Sequence, residues 1–347
     1  MPHRLLIVPA AVIACLLPLA GLAASSAFVK GYVRGVLDVD YPRLHASVES
    51  ATADGHIRLK ATHCLSGPTR DRVGRTLLSR RRIVAVHWDM PCPATAIRRR
   101  AVEPLPPGPL FRPLLADPRQ PRFSASYQYH VTDSKSFNAA AVAFGGNFGF
   151  LRGRWRGGAY QLGIDGGVFA LFNFDTPSND LENADYMVGL PLEYRRGPWS
   201  YRARVYHISS HLGDEFLLRH PNVQRINLSY EVFDALVSRS VGHLRLYGGG
   251  GHIIESTPAL DPWMIHYGAE YRWPNLIDHL DLDLAADFKQ NQDQGWITNQ
   301  SYELGMSFHR GQHAVRVMLE YYAGLSPNGQ FFTDHLHYYG IGLQLTL

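Results

Sequence analysis

Hydrophobic and polar residues alternate along most of the chain from Phe123 onward. In the final segment, Tyr339–Leu347, the odd positions carry Tyr, Ile or Leu, and the even positions carry Gly, Gln or Thr. Successive side chains of a β-strand point to opposite faces, so this segment is predicted to be a strand with one apolar and one polar face. An apolar face that includes the last residue is typical of a strand that closes a transmembrane β-barrel.

Other segments repeat this alternation, as in Trp199–Tyr206, Leu280–Phe288 and Val315–Tyr321, and Trp263–Trp273 and Tyr302–Phe308 add aromatic residues at both ends of the apolar face. A soluble β-sandwich rarely needs such aromatic ends, whereas a transmembrane barrel uses them as girdles at the membrane interfaces. Leu282 and Leu284 are therefore predicted to face lipid, and Asp283 the lumen. Counting these segments predicts a mainly β protein, an antiparallel barrel of about twelve strands over residues 122–347. A soluble all-β domain is the main alternative.

The predicted connections between strands differ in length. Short, often basic links occur at 152–158, 195–198, 274–277 and 310–312, and longer polar links at 173–185, 211–224, 250–262, 289–295 and 326–334. The link near Phe233–Val241 is intermediate. Outer-membrane barrels have short periplasmic turns and longer external loops. The expected location is the outer membrane of a Gram-negative cell, with both ends of the barrel in the periplasm.

The N-terminus predicts export. A basic start, Met1–Arg4, precedes the apolar run Leu5–Leu22, which is typical of a secretory signal, here assigned to residues 1–27. Val12–Cys15 also resembles a bacterial lipobox, which would leave Cys15 lipidated. After a signal is removed, Cys64 and Cys92 remain, and an oxidising periplasm would permit a disulfide between them. Their spacing leaves open whether the two sulfurs meet.

Residues 28–100 differ in texture from the barrel. Helical spacing at 32–36 and 68–80 and strand-like runs at 44–50, 56–61 and 83–86 predict a small α/β module in the periplasm. This order resembles the BON domain, a module thought to attach to membrane lipid. The run Arg80–Arg82 could meet anionic head groups at about 1 kcal/mol per charge. The Pro-rich stretch 101–121 is predicted to be a stiff linker that separates this module from the barrel.

Three segments resemble an uncharacterised bacterial family, the domain of unknown function 1207. They are Phe111–Pro118, Asp165–Phe169 and Tyr206–Glu215. The resemblance implies an outer-membrane barrel and no assigned activity.

One constellation has the residue types for catalysis. His207 and Ser209 lie two residues apart, on the face predicted to meet lipid, and at the external end of their strand. His and Ser normally avoid lipid, and a hydrolase of outer-leaflet lipid would use Ser as nucleophile and His as base. The motif resembles the His-x-Ser of outer-membrane phospholipase A and lipid A deacylase, whose third residue, Asn or Glu, comes early on the next strand.

That resemblance implies Asn227 as the third residue, with Asn222 as its substitute. The alternation predicts, however, that Asn227, Ser229 and Glu231 face the lumen, while Ile226, Leu228 and Tyr230 face lipid. In the alternative without catalysis, His207 and Ser209 anchor a loop through Asp214 and Glu215.

Three functions remain open from the sequence. The leading prediction is an outer-membrane barrel with a structural or envelope-associated role, and the alternatives are a lipid hydrolase using Ser209 and His207 or a narrow channel. No cofactor or metal is expected, except Ca²⁺ if the protein is a lipid hydrolase. The predicted partners are outer-membrane lipid, lipopolysaccharide and the barrel-assembly machinery. Nucleic acid is not a predicted partner, because an exported chain would not meet it. Inward-facing acids and arginines could line an ion path or, more often, form a salt-bridged plug: Asp281, Asp283, Asp287, Arg202, Arg204, Arg245 and Arg316.

Overall fold

A computed structural model describes residues 25–42, 44–79, 83–91, 102–223, 225–277, 280–310 and 313–346. The chain divides into two compact units, residues 1–97 and 98–347. Most of the predicted signal, Cys15, the run Arg80–Arg82 and Cys92 lie outside the described residues. In the described part of the chain, no helix is long and apolar enough to span a membrane.

The first unit is a small α/β fold, as predicted. Its elements are α1 (Ser26–Asp40), β1 (Ala46–Ala51), β2 (His56–Ala61), α2 (Gly67–Leu78) and β3 (Ala85–Asp89). Strand β2 lies between an antiparallel β1 and a parallel β3. Apolar residues spaced three or four apart on each helix, among them Val33, Leu37, Val73 and Leu77, pack onto the inward face of β2. Cys64 is disulfide-bonded, and its pairing with Cys92 and the BON likeness stay predictions.

The second unit is a closed antiparallel barrel of twelve strands after the short strand β4 (Val102–Pro104), and it confirms the predicted fold class. Each strand pairs with the next along the chain, and the last pairs with the first. The strands are β5 (Phe123–Thr132), β6 (Ser136–Trp155), β7 (Gly158–Asn173), β8 (Asp180–Arg196), β9 (Trp199–Leu212), β10 (Ser229–Val241), β11 (Leu244–Thr257), β12 (Trp263–Ile277), β13 (Leu280–Asn291), β14 (Thr298–Arg310), β15 (His313–Leu325) and β16 (His335–Thr346).

The two ends of the barrel differ in their connections. At one end β6–β7, β8–β9 and β10–β11 are joined by two residues each, at 156–157, 197–198 and 242–243. Arg156 and Gly157 both have positive φ, 46° and 81°, which suits a tight hairpin turn. The opposite end carries longer connections at 174–179, 213–228, 258–262 and 326–334, of which 213–228 contains α3 (Asp214–Arg219). The short-turn end also holds the start of β5 and the end of β16, which pair with each other.

The outward face of the barrel is apolar. On β16, Tyr339, Ile341, Leu343 and Leu345 are all exposed, and on β13 Leu284 is exposed while Asp283 is fully buried. These positions confirm the predicted alternation. Such a continuous apolar surface is far larger than water-soluble monomers expose and is typical of barrels in a bilayer.

The lumen is packed with paired charges. Arg316 contacts both Asp283 and Glu303, Arg204 contacts Asp165 and Asp234, and Arg245 contacts Glu270. Of the predicted pairs of inward acids and arginines, Arg316–Asp283 is confirmed, whereas Arg204 and Arg245 pair with acids that were not predicted. Because these charges have partners of opposite sign, their cost of leaving water is partly offset.

The later part of the stretch that was predicted to be a stiff linker is part of this interior. Leu110 and Phe111 donate backbone hydrogen bonds to Glu193, and Leu115 donates one to Glu270. Phe111 and Leu114 are buried, and the Phe111 ring lies 5.2 Å and 4.8 Å from the guanidinium carbons of Arg202 and Arg245. Residues 110–122 therefore form a plug in the lumen, a role that the Pro-rich composition concealed.

Candidate active site

His207 and Ser209 lie on the outward face of β9. Their neighbours Tyr206, Ile208 and Ser210 are buried toward the interior, whereas His207 and Ser209 are half-buried. The predicted orientation of the pair is confirmed. The preceding residues of the same face are Trp199, Tyr201, Ala203 and Val205, so an imidazole and a hydroxyl follow an apolar and aromatic stretch of the strand.

Glu231 of β10 lies directly opposite His207 in the register of the two strands. Oε1 of Glu231 is 2.7 Å from Nδ1 of His207, and both side chains are 39% exposed. In a serine hydrolase the acid holds Nδ1–H, which leaves Nε2 to accept the proton of the nucleophile. The contact is therefore on the nitrogen that a catalytic triad requires.

Ser209 is the next outward residue after His207. Two residues of a strand span about 6.6 Å, which is within reach of the two side chains. Tyr186 of β8 and Ser229 of β10 lie opposite Ser209 on either side. Ser, His and Glu thus stand together on the outside of the barrel, on two neighbouring strands.

The structure places neither of the two predicted Asn residues against His207. Asn222 and Asn227 are exposed residues of the connection before β10, and the carboxylate against the imidazole belongs to Glu231. Asp214 and Glu215 are in the first turn of α3, so the predicted loop anchor is not the partner of His207 either. The resemblance implied an Asn or Glu early on the next strand, and Glu231 is the third residue of β10.

The face that the sequence predicted for Ser229 and Glu231 is wrong. Residues 233–241, interpreted from the sequence as a connection, are strand, and the turn is at 242–243. Phe233 and Ala235 are exposed while Leu228, Val232 and Leu236 are buried, so Asn227, Ser229 and Glu231 share the outward side. On the inward face, the apolar residues Val232 and Leu236 alternate with Asp234 and Ser238. Polarity alone therefore could not predict which face of β10 points into the lumen.

The position of Ser209 along the barrel axis can be estimated from the length of β9. Ten residues separate Trp199, at the short-turn end of β9, from Ser209. This distance is about 33 Å along the strand and about 25 Å along the axis of a barrel with strands tilted by about 40°. The apolar band of an outer-membrane barrel is about 25 Å tall. Ser209 therefore lies at the opposite edge of that band from Trp199.

A cationic side chain lies beyond Ser209. His211 is the next outward residue, and Arg225 Nη2 donates a hydrogen bond of 2.9 Å to its Nδ1. The backbone N–H of Ser210 donates to the carbonyl of Leu228 at 2.9 Å. Because that amide is used within the fold, it is not free to stabilise negative charge at Ser209, whereas the Arg225 guanidinium has further N–H groups.

The described residues offer no candidate metal centre. Within the described ranges, no group of three or more His, Cys, Asp or Glu is arranged to hold a metal ion. The expectation of Ca²⁺ for a hydrolase stays a prediction without an assigned ligand set.

The chain is similar to several solved structures over about two thirds of its length. No match was found among the curated proteins. Outer membrane phospholipase A from Escherichia coli is 15% identical, with 65% of this chain and 93% of that chain covered and a TM-score of 0.42. LpxR from Salmonella typhimurium is 10% identical, with 65% and 100% covered and a TM-score of 0.33. The KdgM porin in complex with disordered oligogalacturonate is 8% identical, with 65% and 99% covered and a TM-score of 0.35.

These likenesses concern the fold alone, which resembles Gram-negative outer-membrane barrels. A family model gives a more direct assignment than the solved structures do, and it agrees with the resemblance noted in the sequence. The model described as "Protein of unknown function (DUF1207)" matches residues 85–347, and the chain belongs to this family.

Proposed function

We propose that this protein is an outer-membrane hydrolase that cleaves acyl esters of outer-leaflet lipid. Ser209 is the nucleophile, His207 the general base, and Glu231 the residue that orients the imidazole. The observation that carries the proposal is the 2.7 Å contact between His207 Nδ1 and Glu231 Oε1 on the outward face, with Ser209 two residues away. An imidazole and a carboxylate among apolar side chains at a membrane surface are unfavourable, and such groups usually mark a functional site.

The placement in the membrane supports the same reaction. With the two-residue turns toward the periplasm, the longer connections face outward from the cell. Ser209 then lies at the external edge of the apolar band, the depth at which the ester groups of lipid meet water. The N-terminal α/β unit would be periplasmic in this orientation.

The chemistry follows from the three side chains. His207 Nε2 accepts the proton of Ser209 Oγ while Oγ bonds to the ester carbonyl carbon, and Glu231 stabilises the imidazolium that forms. The imidazolium then gives its proton to the departing alcohol as the ester C–O bond breaks. His207 then takes a proton from water, and the hydroxide attacks the acyl carbon and releases the fatty acid from Ser209. The imidazolium returns the proton to Oγ.

The oxyanion needs a donor from a side chain. Amides within a strand are committed to the ladder, as the Ser210 N–H is to Leu228. Arg225, bonded to His211 one outward position beyond Ser209, is placed to supply positive charge to the carbonyl oxygen as it becomes an oxyanion.

The test is hydrolysis by purified, folded protein of labelled phosphatidylethanolamine and of labelled lipopolysaccharide, each with Ca²⁺ and with a chelator. The two substrates separate a phospholipase from a lipid A deacylase. Ser209→Ala and His207→Ala should each abolish fatty acid release, and the double variant should be little worse, because triad members act as a unit. A lipid phosphonate should label Ser209 in the wild type.

The chain offers a matched control in Ser229, which faces outward directly opposite Ser209 on β10. Ser229→Ala should keep full activity and labelling. Heat-modifiable migration on gels would show that every variant is folded. If folded wild-type protein released no fatty acid from either lipid and took up no phosphonate, the hydrolase would be rejected, and a structural or envelope-associated role would stand.

The channel alternative has less support because residues 110–122 occupy the lumen. Beside the plug, a cavity of about 150 Å³ lined by Arg119, Tyr230 and Tyr322 among others holds only a few waters. We expect negligible conductance in a planar bilayer. Steady conductance of the intact chain would restore the channel.

A further inference from the structure

A basic aromatic cluster lies on the outward face at the short-turn end of the barrel. Its members come from the β6–β7 and β8–β9 hairpins and from β10: Trp155, Arg156, Tyr194, Arg196, Trp199, Tyr201 and Arg239. The register explains the assembly, because Arg196 is opposite Trp199, Tyr194 is opposite Tyr201, and Trp199 is opposite Arg239. The positive φ of Arg156 and Gly157 brings the neighbouring turn alongside.

The rings and guanidinium groups of this cluster are in mutual contact. Arg156 lies over Trp155 at 5.0 Å, and Arg239 lies over Trp199 at 5.2 Å. The ring centroids of Trp155 and Tyr194 are 6.0 Å apart. A side chain at Gly157 would come within 3.8 Å of Arg196 Nε, so Arg196 reaches toward the neighbouring turn. The cluster encloses an open depression of about 700 Å³.

The charge of this depression is unbalanced. Arg156 and Arg196 line the depression, Arg239 lies over the lining residue Trp199, and all three are exposed. The described residues that line the depression include no Asp or Glu. A guanidinium that stacks on a ring keeps its N–H edge available, and that edge matches two oxygens of a phosphate. The depression is therefore complementary to an anionic phosphate group.

An apolar track continues from the cluster along the same two strands. Leu192 and Leu190 of β8 and Val205 of β9 are exposed on the outward face directly beyond Tyr194 and Tyr201. A ligand that fits both parts has a phosphate at the membrane edge and long acyl chains that extend into the apolar band. These are the parts of a glycerophospholipid.

We propose that the basic aromatic cluster binds the phosphate of an anionic glycerophospholipid in the leaflet at the short-turn end. The proposal rests on the membrane placement given under the proposed function but not on catalysis, because the cluster and Ser209 lie at opposite edges of the apolar band. The ligand would belong to the periplasmic leaflet, and its bound chains would lie below the candidate active site.

The experiment uses the full chain with Ser209→Ala, so that lipid is bound without turnover. Delipidated protein in detergent is titrated with phosphatidylglycerol, with phosphatidylethanolamine of the same acyl chains, and with lipopolysaccharide, and bound lipid is counted by native mass spectrometry. We expect tighter binding of phosphatidylglycerol by roughly tenfold, since charges near a membrane surface contribute substantially. The pair Arg156→Gln and Arg196→Gln should abolish that preference.

Arg154 and Arg195 supply the matched control. Each is exposed and adjacent in sequence to a cluster residue at one of the same two turns. In the strand register Arg154 is opposite Ala159 and Arg195 is opposite Ser200, so both arginines have the inward parity, whereas the cluster is on the outward face. Arg154→Gln with Arg195→Gln removes the same charge and should keep the preference. Equal loss in both pairs, no loss in the cluster pair, equal affinity for phosphatidylethanolamine, or stronger binding of lipopolysaccharide would overturn the proposal. A result of this kind would leave fatty acid release, and hence the hydrolase, untouched.

Discussion

Strands β9 and β10 carry charged groups on both faces, and the two faces differ in how far those groups are buried and in what they contact. Inward, Arg204 bridges Asp165 and Asp234, and all three side chains are buried. Outward, His207 and Glu231 form a single half-exposed pair, which follows a stretch of apolar and aromatic side chains that includes Trp199, Val205 and Phe233. The inward charges belong to a network, while the outward pair stands beside a serine.

The comparison shows that equal contact distances can have different consequences. In the interior, removal of one partner leaves a charge without water, so these pairs determine whether the barrel is stable. A half-exposed pair contributes little to stability, typically about 0–1 kcal/mol. The His207–Glu231 pair therefore contributes little to the stability of the strands, which is consistent with the proposed chemistry at Ser209.

The largest effect that would separate the two faces concerns Glu231. Glu231→Ala should reduce hydrolysis by about 10³-fold, or about 4 kcal/mol in the activation barrier, because the imidazole loses its orientation and its counter-charge. The free energy of unfolding should change by less than about 1 kcal/mol. Steady-state kinetics and urea unfolding from lipid vesicles measure the two quantities. A variant with full activity but weakened folding would reverse the assignment.

The next effect concerns the interior. Asp283→Ala should lower the free energy of unfolding by about 3–5 kcal/mol, because Arg316 would lose one of its two buried carboxylates. Activity per folded molecule should stay unchanged. Asp283→Arg should be worse still, since it would place two guanidinium groups together. A mild effect of Asp283→Arg would show that the lumen holds water and screens its charges.

A smaller effect tests the outward face itself. Leu284→Arg should cost about 2–4 kcal/mol near the middle of the membrane, and Phe308→Arg about 0–1 kcal/mol near the short-turn end. Both side chains are exposed, at 48% and 51%, so their surroundings alone would produce the difference. The same urea unfolding assay applies, and equal costs at the two positions would argue against a bilayer around the barrel.

The fold was accessible from the sequence where alternation was regular. The start at Phe123, the twelve strands and the outward face of β16 followed from period-two patterning, which reports local geometry directly. On β10, Val232 and Leu236 are apolar although they face inward. Polarity alone could not show which face they occupy, so Glu231 was assigned to the lumen.

The plug was missed for a related reason. The run Glu103–Pro109 has the composition of a spacer, and nothing local distinguishes a spacer in water from a segment that enters a barrel. The partners that hold residues 110–122 in place, such as Glu193, Glu270 and Glu303, are far away in the chain. Hydrogen bonds over such separations leave no local pattern.

By itself, the sequence determined the class of fold, the strand count and the outward placement of His207 and Ser209, because side chains on a strand alternate with a period that can be read residue by residue. Only the tertiary structure decided that Glu231 is the partner of His207, that residues 110–122 fill the lumen, and that three arginines gather beside Trp155 and Trp199. Each of these depends on the register between neighbouring strands or on closure of the barrel. Register and closure result from pairing over the whole sheet, and no single segment encodes them.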